Sequence, residues 1–364
     1  MPNARLTISL CALLLAAGLG GCSSYLRQAA AGQLELMRGR EPVAQIENDP
    51  ATPAQLRARL ATAREALEFA HRELALPDNG SYRDVVTLDR QYVVWNVFAT
   101  PEFSLRMRSW CFPVAGCVAY RGWFKEQDAR AFAAELAATG DDVSVAGAAA
   151  YSTLGIFRDP LLSTVLSLSD RAVAGLIFHE LAHQRVYARG DTSFNEGLAT
   201  LVEQEGMLAW LETRGDVDGP CRYAQSLQRE REVQALIAST RKTLTRIYRS
   251  EADEAGRRAS KAAAFAALRA DYRSLRAGWS GPPYFDAWFN STLNNAVLGA
   301  AGAYNRRVDA LRVIFESEQR DWHAFFRRMD RLRQLGVADR ARVLEQITRP
   351  GPPAAPAACR ATAG

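Results

Sequence analysis

His179-Glu180-Leu181-Ala182-His183 is the stretch of this 364-residue chain best equipped for chemistry. On a helix, positions i and i+4 share a face, so both imidazoles reach one metal ion. Glu180 is offset by one residue and placed to take a proton from an attacking water. The chain has only 4 histidines, and two of them fall at ligand spacing with an acid beside the first. That pattern is poorly explained by core histidines satisfied by backbone. A catalytic zinc has three protein ligands and one open position. The third ligand is expected to be Glu196, at the start of a second helix that carries Ser193-Phe194-Asn195-Glu196-Gly197-Leu198-Ala199. Ser193-x-x-Glu196 is also a capping box, in which Glu196 would hold the helix N-terminus instead. Glu203 lies two turns further along the same face, where a carboxylate would orient a ligand histidine and fix its tautomer. Asn195 is the other candidate for that supporting role.

These residues need two helices to present them. Ser169-Asp170 reads as an N-cap and Gly190 as a C-cap, giving a first helix of about five turns. Its core-facing stripe is expected to be Ala172, Leu176, His179, His183 and Val186. Upstream, residues 23–75 read as helical, with a clear helix opened by Thr52-Pro53 and striped by Leu56, Leu60, Ala63, Leu67 and Ala70. His71 at its end reads as structural. Residues 81–124 are rich in Val, aromatics and alternating positions, the signature of a small, mostly antiparallel sheet. A helix is expected over 126–139, then an edge strand leading to the histidine helix. About 146–155 of that strand would bind extended substrate through main-chain pairing, with Gly147 and the alanines leaving room for it; a simple connecting strand is the alternative. Beyond Trp210, residues 221–249 and 252–277 read as a long antiparallel helical pair with solvated charges. The next helix carries Asn294, Asn295 and Tyr304. Tyr304 is the candidate donor to a tetrahedral oxyanion, and buried Asn and Tyr satisfying backbone are the alternative. His323 reads as a surface or core residue.

The chain ends have their own logic. Residues 1–21 have a positive start at Arg5 and an apolar run, Leu6 to Gly18, too short for a stable span. Leu19-Gly20-Gly21-Cys22 resembles a lipobox, so Cys22 is the expected lipid attachment site. Ser23 rather than Asp follows, which by the usual sorting rule places the chain on the outer membrane of a Gram-negative envelope, facing the periplasm. Of 6 cysteines, Cys111, Cys117, Cys221 and Cys359 then remain, and an oxidising compartment permits disulfides. Four cysteines allow three connectivities; a 111–117 bridge with 221–359 is favoured. Residues 349–364 are Pro/Ala-rich and read as disordered. The charge is +5, from 45 basic and 40 acidic residues spread along the chain, and leaves no nucleic-acid footprint. The sequence carries no reading of oligomeric state.

HELAH followed by NEGLATLVE is similar to the gluzincin metallopeptidases, in particular to the NEG-containing helix of the aminopeptidase N family. The resemblance implies that Glu196 is the third zinc ligand and that Glu203 is the supporting acid. The interval from His183 to Glu196 is shorter here, and the GxMEN segment that recognises a free amino terminus in that family is absent. SWCFPVAGCVAYRGWF (109–124) and AYSTLGIFRDPLLSTVL (150–166) resemble a bacterial lipoprotein family described as putative aminopeptidases, a likeness that implies that the helix of Asn294 and Asn295 lines the cleft. Together these imply an α+β, predominantly helical zincin-like metallopeptidase with a small mostly antiparallel sheet. Its parts would be a signal peptide (1–21), an N-terminal helical segment (22–80), a catalytic domain (81–348) and the tail. The catalytic domain would comprise a sheet region (81–160), zinc helices (171–210) and a helical remainder (221–348). Zinc is the implied cofactor, with Mn or Co able to occupy the same donors. A peptide is the implied substrate, and the membrane is the partner through Cys22. The rival reading is a non-catalytic zinc-containing or peptide-binding envelope lipoprotein.

Overall fold

A computed structural model describes residues 25–112, 116–216, 218–281, 284–305 and 307–347, with 302–305 described by backbone alone. Residues 1–21, expected as a signal peptide, Cys22, Cys359 and the 349–364 tail lie outside the described residues, as does the side chain of Tyr304. The chain runs α1 (25–38), β1 (Arg40–Pro42), α2 (Val43–Asn48), α3 (Ala54–Glu73), β2 (Asp84–Val86), β3 (Val94–Pro101), β4 (Trp110–Phe112), β5 (Gly116–Val118) and β6 (Arg121–Trp123). It continues through α4 (Glu126–Ala138), β7 (Asp141–Ala148), β8 (Leu161–Leu162), α5 (Ser163–Leu166), α6 (Asp170–Arg185) and α7 (Thr192–Thr213). The remainder is α8 (Gly219–Tyr248), α9 (Glu254–Ala277), α10 (Asp286–Asn290), α11 (Asn295–Asn305), α12 (Val308–Ser317), α13 (Trp322–Arg333) and α14 (Val337–Glu345). The class is α+β, 62% helical.

The strands form three small sheets rather than one. β3 is the centre of the largest, antiparallel to β6 on one side and β7 on the other. Its Val94, Val97, Phe98 and Ala99 are buried, which is why this Val- and aromatic-rich run forms the long strand. β2 pairs antiparallel with β1 and parallel with β8. β4 and β5 form a hairpin closed by the Cys111–Cys117 disulfide. Cys221 is also disulfide-bonded, and its partner lies outside the described residues. The 23–75 stretch is therefore not wholly helical: Arg40–Pro42 leaves the helical run to complete the β1–β2 ladder.

The apolar stripe of α3 behaves as its period requires, burying Leu60, Ala63, Leu67 and Ala70. It packs on α6, and one core runs from Leu36 on α1 to Leu344 on α14. The N-terminal segment and the rest of the chain thus share their burial. A second cluster, with Val233, Ile237, Leu244, Phe265, Leu268, Tyr272 and Phe289, lies between α8, α9 and α10. α1 is docked on the sheet by the Gln28 amide, which donates to Gly122 O at 3.4 Å and accepts from Phe124 N at 3.0 Å.

Candidate metal centre

α6 starts where the sequence expects, with the Ser169 hydroxyl accepting from Ala172 N. It ends at Arg185, one turn early, and Val186 is extended. The cause lies on α7. The buried Asn195 amide donates to Ala188 O at 2.9 Å and accepts from Ala188 N at 2.8 Å, pulling the connection out of helical geometry. Gly190 then occupies φ +78°, serving the turn rather than a helix end. The expected core stripe is also reassigned. Val173, Ala174, Ile177, Phe178, Leu181 and Ala182 face the core, whereas Ala172, Leu176, His179, Glu180 and His183 line a cavity of about 840 Å³. α6 is apolar on two faces, and periodicity alone cannot tell a core wall from a cleft floor.

The turn returns α7 antiparallel to α6. Asp191 caps it, accepting from Phe194 N at 3.1 Å, so capping falls to Asp191 and not to the Ser193–Glu196 box. The buried Arg340 of α14 donates to the same Asp191 carboxylate. Glu196 is left to face the histidines. Its Oε2 is 3.4 Å from His179 Nε2 and 3.7 Å from His183 Nε2. Donor atoms of these three residues lie within 4.8 Å of one another, the single such cluster among the described residues. A direct hydrogen bond would be shorter, about 2.7–3.2 Å. Donors 2.0–2.2 Å from one tetrahedral zinc stand about 3.3–3.6 Å apart, close to the 3.4 and 3.7 Å found here, and the two-imidazole, one-carboxylate set suits zinc.

Glu203, two turns along α7, lies 3.1 Å from His179 Nδ1. That contact leaves Nε2 as the nitrogen turned to Glu196. Gly175 makes room for it: a Cβ there would meet Glu203 Oε1 at 3.2 Å. Burial opposes charge on His179, yet the carboxylates of Glu196 and Glu203 hold its pKa well above the usual imidazole value. For Glu196 burial acts upward, but the two histidines outweigh it and hold the carboxyl well below its usual range. Glu180 is pushed up by burial, opposed by His183 and His179 and reinforced by Glu196 and Asp159.

Two phenols line the cavity that the sequence reading passed over, Tyr120 and Tyr187. Burial raises the pKa of Tyr120, as do the charges of Glu196 and of Tyr187. Burial likewise raises Tyr187, with Glu196 adding to it and a hydrogen bond with Asn195 opposing it. Both are therefore held as neutral O–H donors beside the cluster. Tyr187 carried a signal in the sequence, four residues beyond His183; Tyr120, after the disulfide hairpin, carried none. Asn294 and Asn295 do not line the cavity. Asn294 donates to Val143 O at 2.9 Å, while Asn295 donates to Glu102 O and accepts from Tyr248 Oη. They tie α11 to the sheet, the role buried asparagines take when backbone groups need partners. His323 is exposed on α13.

The edge strand also differs from expectation. β7 ends at Ala148, and residues 148–152 with Leu154 continue along the cavity. Gly147 leaves space for the Tyr92 ring, which a Cβ would meet at 2.3 Å, and not for a substrate backbone.

Residues 24–344 match the model of a family described as "putative aminopeptidase". The chain belongs to this family. The match spans both zinc-candidate helices, the sheets and the N-terminal helices together. No curated protein and no solved structure matches the chain.

Proposed function

We propose that this chain is a zinc-dependent, aminopeptidase-like metallopeptidase of zincin type, tethered to the bacterial envelope through Cys22. The observation that carries the reading is the convergence of His179, His183 and Glu196 on one point at metal-donor spacing, in a cavity wide enough for a peptide. Family membership supports peptide-bond hydrolysis as the reaction. His179, His183 and Glu196 would hold the ion, which supplies Lewis-acid polarisation of the scissile carbonyl and lowers the pKa of water. Glu203 orients His179 through Nδ1. Glu180 takes the proton of the attacking water and delivers it to the leaving amine. The neutral phenols of Tyr187 and Tyr120 are the donors available to the oxyanion.

The test is metal content and peptide-library cleavage by the purified protein, beside Glu180→Gln. The wild type should hold about one zinc. Because Gln is nearly isosteric but cannot accept the proton, the variant should keep metal and fold while cleavage falls about 10²–10⁴-fold. Near-normal turnover in Glu180→Gln would remove the mechanism. A zinc-loaded wild type that cleaves no peptide would favour the non-catalytic binding role. The positions of cleavage separate end-trimming from internal hydrolysis.

A further inference from the structure

The mouth of the metal-centre cleft carries large apolar side chains in solvent. Leu26 on the first turn of α1 is 58% exposed and lines the cleft itself. The loop after β7 contributes Leu154 to the cleft lining and, two and three residues later, exposes Ile156 (55%) and Phe157 (43%). That segment cannot fold back easily. The buried Asp159 carboxylate accepts from Ser152 Oγ, Thr153 N, Thr153 Oγ1 and, on α6, Gln184 Nε2. Thr153 Oγ1 in turn accepts from Phe157 N at 3.1 Å. The loop's polar groups are spent inside it, so Ile156 and Phe157 are held outward by a braced frame.

The start of α1 is held as firmly. Besides the Gln28 bonds, Tyr25 packs on Phe112 and Trp123 under the Arg121 guanidinium. Cys22 comes three residues before Tyr25 in the sequence, so chain length alone limits the separation of their Cα atoms to roughly 10–11 Å. Exposed Arg27 and Arg158 flank the apolar tips, the charge sign that anionic lipid headgroups favour. Among the described residues no helix is long and apolar enough to cross a membrane.

We propose that Leu26, Ile156 and Phe157 form a lipid-contacting rim that holds the mouth of the cleft against the membrane anchoring Cys22. The substrates are then polypeptide segments lying at that membrane surface rather than freely diffusing folded proteins. This rests on the reading of Cys22 as acylated and of the cleft as a peptidase site. Amphipathic contact of this kind adds to acyl anchoring and fixes orientation as well as attachment.

The test uses the full chain, made with its signal in a Gram-negative host. It is reconstituted into vesicles of phosphatidylethanolamine and phosphatidylglycerol doped with a lipid carrying a photoreactive acyl chain. Mass spectrometry reads both the acyl mass on Cys22 and the sites of crosslinking. Crosslinks concentrated on 25–27 and 155–158 are expected. The exposed patch of Leu335, Val337 and Val343 serves as the competing face. Acylated Cys22 with labels on that patch, or with none on the rim, overturns the proposal and leaves the anchor standing. Unacylated Cys22 removes the anchor and the proposal together. In a second arm, Ile156→Ser with Phe157→Ser should leave hydrolysis of a soluble peptide unchanged. It should lower hydrolysis of a vesicle-tethered peptide by about a hundredfold, the effect of losing two apolar side chains' burial at about tenfold each. Equal hydrolysis of the tethered peptide by both proteins overturns the proposal. Cleavage of neither peptide by wild type defeats the peptidase reading, while the crosslinks still decide the rim.

Discussion

α6–α7 and α8–α9 are both antiparallel helix pairs, and they are built on opposite terms. α8–α9 is amphipathic, with Val233, Ile237, Leu268 and Tyr272 inside and most of its charges toward water, Lys261 with its partner Asp142 being an exception. α7 buries Asn195, Thr200, Gln204 and Glu205 along with its apolar residues, and His183 is buried opposite. Each of those groups costs desolvation unless it is bonded. Glu205 takes Arg312 at 2.8 Å and also Arg320, Gln204 takes Arg312 at 2.6 Å, and Asn195 takes the Ala188 backbone. With Asn195, Gln204 and Glu205 bonded in this way, α7 is held in one register and rotation. That is what a metal centre drawing Glu196 and Glu203 from it requires. α8–α9 buries fewer polar groups and relies mainly on apolar burial, although Tyr223, Leu227 and Glu230 of α8 reach the lining of the cavity.

The contrast can be broken by substitution. The largest effect should come from His183→Ala or Glu196→Ala, with zinc lost on dialysis and hydrolysis reduced to background. If Glu196 were only a cap, its loss would cost about 1 kcal/mol and leave metal bound, so zinc content separates the roles. Next, Glu205→Ala strands the buried Arg312 and should destabilise the fold by about 3–5 kcal/mol in denaturant unfolding. Metal affinity should weaken with it, because α7 loses its fixed rotation. Leu268→Ala, in the core of the other pair, should cost about 2–5 kcal/mol while the protein that remains folded keeps normal zinc content and turnover. Were Leu268→Ala to weaken zinc as much as Glu205→Ala, the two pairs would not differ as described. The smallest change is Arg222→Ala, which removes an exposed pair with Asp216 and should cost about 0.2–1 kcal/mol without touching activity.

Local signals carried much of this molecule. The α3 stripe, the α4 limits, the α8 and α9 helices and the Ser169 cap were legible because each rests on spacing or capping between near neighbours. The HExxH spacing named two donor residues for the same reason. The errors fall where distant segments decide. The ends of α6 could not be read because Asn195, on the next helix, competes for the Ala188 backbone. The helix of Asn294 and Asn295 was expected at the cleft on the strength of the family resemblance, but their partners, Val143 and Glu102, lie more than a hundred residues upstream and hold them to the sheet side. Tyr120 was invisible because nothing in its neighbourhood announces a phenol beside Glu196.

The sequence by itself determined the candidate metal-donor types, the helix that spaces two of them, and the α+β class, since these follow from the 3.6-residue period and side-chain chemistry. Only the tertiary structure decided which apolar face of α6 is core and which is cleft. It alone turned Glu196 from a possible cap into a group facing both histidines, by giving the cap to Asp191 and securing Asp191 with Arg340 from the far end of the chain. Spacing along one helix is set by covalent geometry. The approach of two helices is set by what packs and hydrogen-bonds between them, and those partners are scattered over more than three hundred residues.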